Sequence, residues 1–295
     1  MTNMKRIRVQ TERGDISTCF WKGPKEGPVL HWAHANGFNG QTYSRILNKL
    51  TSKYNVYAWD TPGYGMSDVG IFYDAVNPVL GYSKDLAALI KELYKKHTSK
   101  IVLGGHSIGG SLSMMASKDL NDKVGGLILA DPVVINYYYK YFTKFFGPFG
   151  YDSNTIKLYR QALKKRSKWN NFDEVLNSYT NRGIFKTWKE GFLYDYLSGG
   201  TKRGKNSVYL SCNPETEAAS FINTEKITTP NIIKNINTPT LLLIAEFGST
   251  TASVRSFKNL KHLQRVETIK GGSHFFPMEQ PDKIISVIKG FKSNC

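Results

Sequence analysis

Apolar residues along this chain come in two rhythms. Positions 5–21 alternate between apolar and polar and turn at Arg13-Gly14-Asp15, which predicts an opening β-hairpin. Mostly apolar runs follow at 29–33, 54–59, 100–104 and 125–130, most of them ending in Gly, Asp or Pro. Runs of that length read as strands buried on both faces. Between them the spacing turns helical, predicting helices over about 41–52, 82–97 and 107–120. The second of these carries Leu86, Leu89, Ile90 and Leu93 along one side. Strands alternating with helices at this interval predict an α/β fold: a mostly parallel central sheet with helices on both faces.

From 133 to 236 the rhythm changes. An aromatic run from Tyr137 to Tyr151 is followed by Lys- and Arg-rich helical stretches near 153–168 and 172–197, and no strand of the earlier kind recurs. The expected organisation is a core of 1–132 and 237–295, with 133–236 as a mostly helical insertion leaving through a linker at Thr228-Thr229-Pro230. The aromatic run either forms the insertion's own core or lines an apolar pocket. The strand–helix alternation then resumes, with strands at 239–246 and 265–269 and helices near 251–260 and 281–292.

Composition narrows the class. With 295 residues, 40% hydrophobic, the chain can bury a large core. No apolar window reaches the length of a membrane-spanning helix, and the basic start has no apolar stretch behind it, so no secretory signal is expected. Three cysteines, Cys19, Cys212 and Cys295, are too few and too scattered for a disulfide framework, and the expected compartment is a reducing cytoplasm. A net charge of +17 has two readings: attraction to an acidic partner or membrane surface, or a lysine-rich composition spread over solvated faces. No zinc-finger, RNP or helix-turn-helix pattern accompanies it, so no nucleic-acid partner is expected. Membrane contact by an amphipathic face of the insertion stays a lesser alternative.

The chemistry-bearing stretch is Gly105-His106-Ser107-Ile108-Gly109, a G-x-S-x-G where a buried strand gives way to a helix. Such a motif places a serine on a tight strand-to-helix turn with its hydroxyl exposed at the sheet's carboxyl edge. Alone it decides little, because a chain this long contains it by chance in roughly one case in six or seven. Three further loops change that: His34 to Gly40, Asp60 to Asp68, and Gly272-Ser273-His274-Phe275 followed by Glu279-x-Pro281. On these four loops, in this order, the sequence resembles the α/β-hydrolase family, esterase- and lipase-like members with a cap.

The resemblance implies roles. Ser107 would be the nucleophile and His274 its general base, since a serine hydroxyl attacks poorly until an imidazole takes its proton. The oxyanion hole would come from the backbone N–H of Ile108 and of Phe38, although His34-Ala35-Asn36-Gly37-Phe38-Asn39 departs from the usual His-Gly-x-Pro and leaves that donor open by one position. Asn36 and Asn39 either donate from their side chains or shape the turn. His106 is expected to point away from a pocket. The acid is open: Gly248 stands where many members place an Asp, leaving Asp131, directly after an earlier strand, and Glu246 as rivals. The implied function is a serine hydrolase of carboxylic esters acting through an acyl-enzyme on a small-molecule substrate with an apolar acyl or alcohol group. Thioester, N-terminal peptide, lactone or carbon–carbon bond hydrolysis, or a receptor without turnover, are its alternatives. No His, Asp or Glu cluster has ligand spacing, so neither metal nor other cofactor is expected.

Overall fold

The computed structural model describes residues 3–68, 78–134, 153–224, 230–251, 254–258 and 260–295. Eight strands form one sheet: β1 (Met4–Thr11), β2 (Gly14–Trp21), β3 (Val29–Ala33), β4 (Asn55–Trp59), β5 (Ile101–His106), β6 (Val124–Ala130), β10 (Thr240–Phe247) and β11 (Leu263–Ser273). Their order is β1-β2-β4-β3-β5-β6-β10-β11. From β4 to β11 every pairing is parallel, while β1 and β2 pair antiparallel as a hairpin with Met4 opposite Trp21. β2 joins that hairpin antiparallel to β4.

Side-chain alternation splits the core across this sheet. Leu30, Trp32, Val56, Val102 and Ile128 point to one face, where α1 (Ser44–Leu47) and α11 (Pro281–Lys289) contribute Ile46, Leu47, Ile284 and Ile288. Val29, Tyr57, Leu103, Leu127 and Leu242 point to the other, covered by α2 (Pro78–His97) and α3 (Ile108–Leu120). The side of α2 read from sequence, Leu86 to Leu93, packs there. With both faces covered, β3 to β6 are buried at every position, which is why they read as apolar runs and not as alternating ones. The stretch 41–52, read as one helix, is a 3-10 turn capped by Asn39, then α1, then a second 3-10 turn.

Between β6 and residue 224 the described residues hold four α-helices: α4 (Ser153–Leu163), α5 (Phe172–Tyr179), α6 (Phe192–Gly200) and α7 (Pro214–Asn223). The predicted helix over 172–197 is two, because Asn181 and Gly183 take left-handed backbone angles (φ 56° and 51°) that end the first. A small antiparallel sheet of β7 (Lys168–Trp169), β9 (Val208–Leu210) and β8 (Thr201–Arg203) escaped the sequence, since strands of two or three residues carry no readable alternation. The aromatic run 137–151 and the linker residues Thr228 and Thr229 lie outside the described residues. The chain continues through α8 (Pro230–Lys234), α9 (Val254–Lys258) and α10 (Phe276–Glu279) around β10 and β11. Among the described residues no helix is long and apolar enough to cross a membrane.

Buried Asp60 braces two of the loops at the sheet's edge. It accepts from Gly40 N (2.9 Å), Met66 N (2.9 Å) and Ser17 Oγ (3.1 Å), and it is paired with Arg6. The loop after β3 and the loop after β4 are thereby tied to one carboxylate.

Candidate active site

Ser107 stands between β5 and α3 with φ 57°, a left-handed conformation that strains a residue with a side chain. Two glycines allow the turn: a Cβ on Gly105 would lie 2.4 Å from the carbonyl carbon of Gly109, and one on Gly109 would lie 2.2 Å from the oxygen of Ala33. The turn is held from below by Ser107 N–H, which donates to Ala130 O at 2.9 Å. Ile108 opens α3, so its N–H has no carbonyl one turn earlier within the helix.

His274 follows the end of β11, and its ring bridges two of the residues singled out from sequence. Nε2 is 3.0 Å from Ser107 Oγ, and Nδ1 is 2.6 Å from Asp131 Oδ2. Asp131 follows β6, fully buried and also at positive φ (45°). Besides His274 it receives Ala245 N (3.1 Å) and Ser249 Oγ (2.5 Å) on Oδ1, and Thr250 N (3.0 Å) on Oδ2. Burial alone would raise its pKa. The bond and charge of His274, with the Ser249 and Thr250 donors, outweigh burial and hold the carboxyl below its ordinary value. Glu246 is exposed and lies outside this series, accepting Gly271 N–H at 2.7 Å.

The loop after β3 is a turn built by its own side chains. Phe38 N–H, one of the two expected oxyanion donors, donates to Ala35 O at 3.1 Å, with Gly37 at φ 74° inside the turn. Asn36 accepts from Tyr64 Oη (2.8 Å) and donates to Glu217 O (3.0 Å). Asn39 accepts Thr42 N–H (3.1 Å) and donates to Tyr196 O (2.9 Å). Both asparagine side chains are thus occupied in shaping the loop and joining it to α6 and α7. The Phe38 ring packs among Phe275, Trp188 and Tyr196, with centroids 5.3 to 6.2 Å away.

Four contributors carry little or no sequence signal as partners of the site. Ser249 and Thr250, just after Gly248, donate to Asp131; a run of three hydroxyl residues, Ser249-Thr250-Thr251, was their only signal. His106, expected to point away from a pocket, is fully buried and reaches the main-chain oxygen of His274 at 2.7 Å. Tyr43 backs it at 2.9 Å, and no local pattern marks that tyrosine. Among the described residues no group of three His, Cys, Asp or Glu side chains stands close enough to hold a metal ion.

The fold and these loops have counterparts in known proteins. The chain matches the Alpha/beta hydrolase family over residues 29–287, and it belongs to that family. Over 124 residues it is 29% identical to the probable protein phosphatase methylesterase 1 of Caenorhabditis elegans, covering 41% of this chain and 33% of that protein. Over 112 residues it is 30% identical to the pimeloyl-[acyl-carrier protein] methyl ester esterase of Aliivibrio salmonicida, covering 38% and 39%. The matched part thus spans between a third and two fifths of these relatives' length. Among solved structures, E-2-(acetamidomethylene)succinate hydrolase superposes with a TM-score of 0.79 at 17% identity, covering 98% of this chain and 99% of that one. A thermophilic esterase from Thermogutta terrifontis superposes with a TM-score of 0.65 at 20% identity, covering 97% of each. The protein is therefore an α/β hydrolase with esterase-like relatives.

Proposed function

We propose that the chain is a serine hydrolase of carboxylic esters, with Ser107 as nucleophile, His274 as general base and acid, and Asp131 as the carboxylate that orients the imidazole. The observation that carries this reading is the unbroken series Ser107 Oγ, His274 Nε2, His274 Nδ1, Asp131 Oδ2, at 3.0 and 2.6 Å. In the reaction His274 takes the Ser107 proton as Oγ attacks the ester carbonyl, then gives it to the leaving alkoxide. Water, deprotonated by the same nitrogen, releases the acyl group. Asp131, kept ionised by its donors, holds the Nδ1–H tautomer and stabilises the imidazolium.

Ile108 N–H, at the positive end of α3, is the first oxyanion donor in this reading. For Phe38 to be the second, its N–H must leave Ala35 O, giving up a bond worth about 1 kcal/mol. In the same reading 133–236 is a cap over the site. What supports this is the set of bonds from Asn36 and Asn39 to Glu217 and Tyr196, and the Arg45–Asp195 pair at 3.0 Å.

The two sequence relatives described above are a methylesterase and a methyl ester esterase, so short alkyl esters head the substrate list. The test is a panel of methyl and p-nitrophenyl esters, acetyl to decanoyl. Turnover is expected from the wild type and from Glu246→Gln, with kcat lowered by about 10⁴-fold or more in Ser107→Ala and Asp131→Asn. Activity surviving in Ser107→Ala would overturn the mechanism. Thioesters and lactones in the same panel separate ester preference from the wider chemistry the same three residues can perform.

A further inference from the structure

The hydrogen bonds behind His274 run in one direction. A main-chain carbonyl can only accept, and His106 Nε2 lies 2.7 Å from that of His274, so Nε2 carries a proton. Burial, reinforced by the neighbouring charge of His274, lowers the His106 pKa to about 3. The ring is therefore neutral and its Nδ1 is bare. Tyr43 Oη, 2.9 Å from Nδ1, has to donate to it, and the same oxygen accepts Ala35 N–H at 3.2 Å. Every member has a single role, set at both ends by backbone atoms.

We infer that His106 and Tyr43 are positioning residues, a one-way hydrogen-bond relay from the N–H of Ala35 to the carbonyl of His274 that holds the loop after β3 and the histidine loop in register on the serine elbow. The inference rests on reading Ser107 and His274 as nucleophile and base. The bonds from Asp131 and Ser107 fix the plane of the His274 ring; the bond from His106 fixes the backbone that carries it. The two rings also lie close, with centroids 4.8 Å apart and planes inclined by 38°, so His106 is a floor under the imidazole. As a neutral floor it sets no like charge against the imidazolium that forms above it. The relay starts from Ala35, beside the turn that positions Phe38, so one set of bonds links base, nucleophile and loop.

Two measurements test this. In the first, kcat and KM are compared for His106→Phe, His106→Gln and Tyr43→Phe, each verified as folded by circular dichroism. Misplaced reacting groups lower kcat and leave binding alone. The expected losses are about 30-fold in kcat for His106→Phe and about 10-fold for Tyr43→Phe, with KM within about two-fold of wild type. Glutamine presents an N–H and an oxygen spaced much like the two ring nitrogens, so His106→Gln is expected to recover kcat to within about three-fold of wild type. Unchanged kcat in His106→Phe, or equal losses in the Phe and Gln variants, would overturn the relay.

The second measurement needs no turnover: nitrogen-15 resonances of the wild-type His106 ring, expected to show Nε2 protonated and Nδ1 bare. The opposite tautomer, or an imidazolium at neutral pH, would overturn the relay by itself. Wild-type turnover lost in Ser107→Ala is the separate control on the ester hydrolase reading. If no substrate is turned over, that reading fails and the tautomer still decides the relay.

Discussion

At the scale of single residues, Asp131 shows how a carboxylate is kept ionised in a fully buried position. It combines a left-handed backbone with donors from three directions: His274, the end of β10 at Ala245, and the turn at Ser249 and Thr250. The Ser249 hydroxyl, at 2.5 Å, is a donor that a conservative change removes. Ser249→Ala is expected to destabilise the protein by about 2 kcal/mol, the usual worth of a hydrogen bond to a charged group, read from urea unfolding at pH 7. A loss below about 0.5 kcal/mol would show that water replaces the hydroxyl without cost. Ser107 and His274 were legible because each sits in a short motif whose residues are neighbours in sequence. The acid was left open between Asp131 and Glu246, because which carboxylate reaches a ring 143 residues from Asp131 in the chain depends on how strands assort in the sheet. His106 and Tyr43 were illegible as partners for the same reason: their hydrogen bond spans 63 residues. The Phe38 N–H was assigned from a motif that this loop departs from by two residues, and the structure turns it onto Ala35 O.

At the scale of elements, the sheet was the most readable part. β3 was expected at its observed bounds, and β4, β5, β6 and β10 within two residues, because strands buried on both faces leave mostly apolar runs between turn residues. β11 runs beyond the expected 265–269, since most of the added positions, Gln264 and Lys270 to Ser273, are polar or glycine and carry no apolar signal. The junction of β5 and α3 depends on backbone approach, which makes a sharp prediction. Gly109→Ala places a methyl 2.2 Å from Ala33 O, a backbone atom of the neighbouring strand that cannot move alone. The expected result is a loss of about 3 kcal/mol or more in chemical unfolding, with Ser107 displaced. Gly248→Ala, at positive φ (64°) with open space around it, measures backbone strain without crowding and is expected to lose only about 1 kcal/mol. A loss in Gly109→Ala no larger than that in Gly248→Ala would show that the elbow shifts to relieve the crowding.

At the scale of the whole molecule, three histidines are buried and neutral, each lowered first of all by burial. His31, in β3, is lowered to about 3, and its two ring nitrogens have no hydrogen-bond partner among the described residues. His106 is lowered to about 3 within the relay. His34 is lowered too, although its Nδ1–H donates to Ala35 O at 2.8 Å and its Nε2 accepts Thr61 N–H at 3.0 Å. In the unfolded chain each returns toward the ordinary 6.5, so between that value and the folded one the unfolded state binds the extra protons. Stability is then full above about pH 7 and falls as the pH drops through 6 toward 4, by about 1.4 kcal/mol per pH unit each for His31 and His106 once well below 6.5. Asp85 and Asp195, whose carboxyls burial pushes up against the pull of Arg13 and Arg45, act in the opposite sense and offset part of the loss. The net charge of +17 adds repulsion that acid can only increase. His31 and His106 together approach about 3 kcal/mol per unit, with His34 acting in the same direction, a large share of the 5–15 kcal/mol that holds a typical domain. The expected outcome is a urea midpoint that falls between pH 6.5 and pH 5, with a shallower slope in His106→Gln, which removes one of these sites. A midpoint that stays level over that range would mean that these rings take up protons inside the folded protein, and with that the neutral floor beneath His274 would be lost.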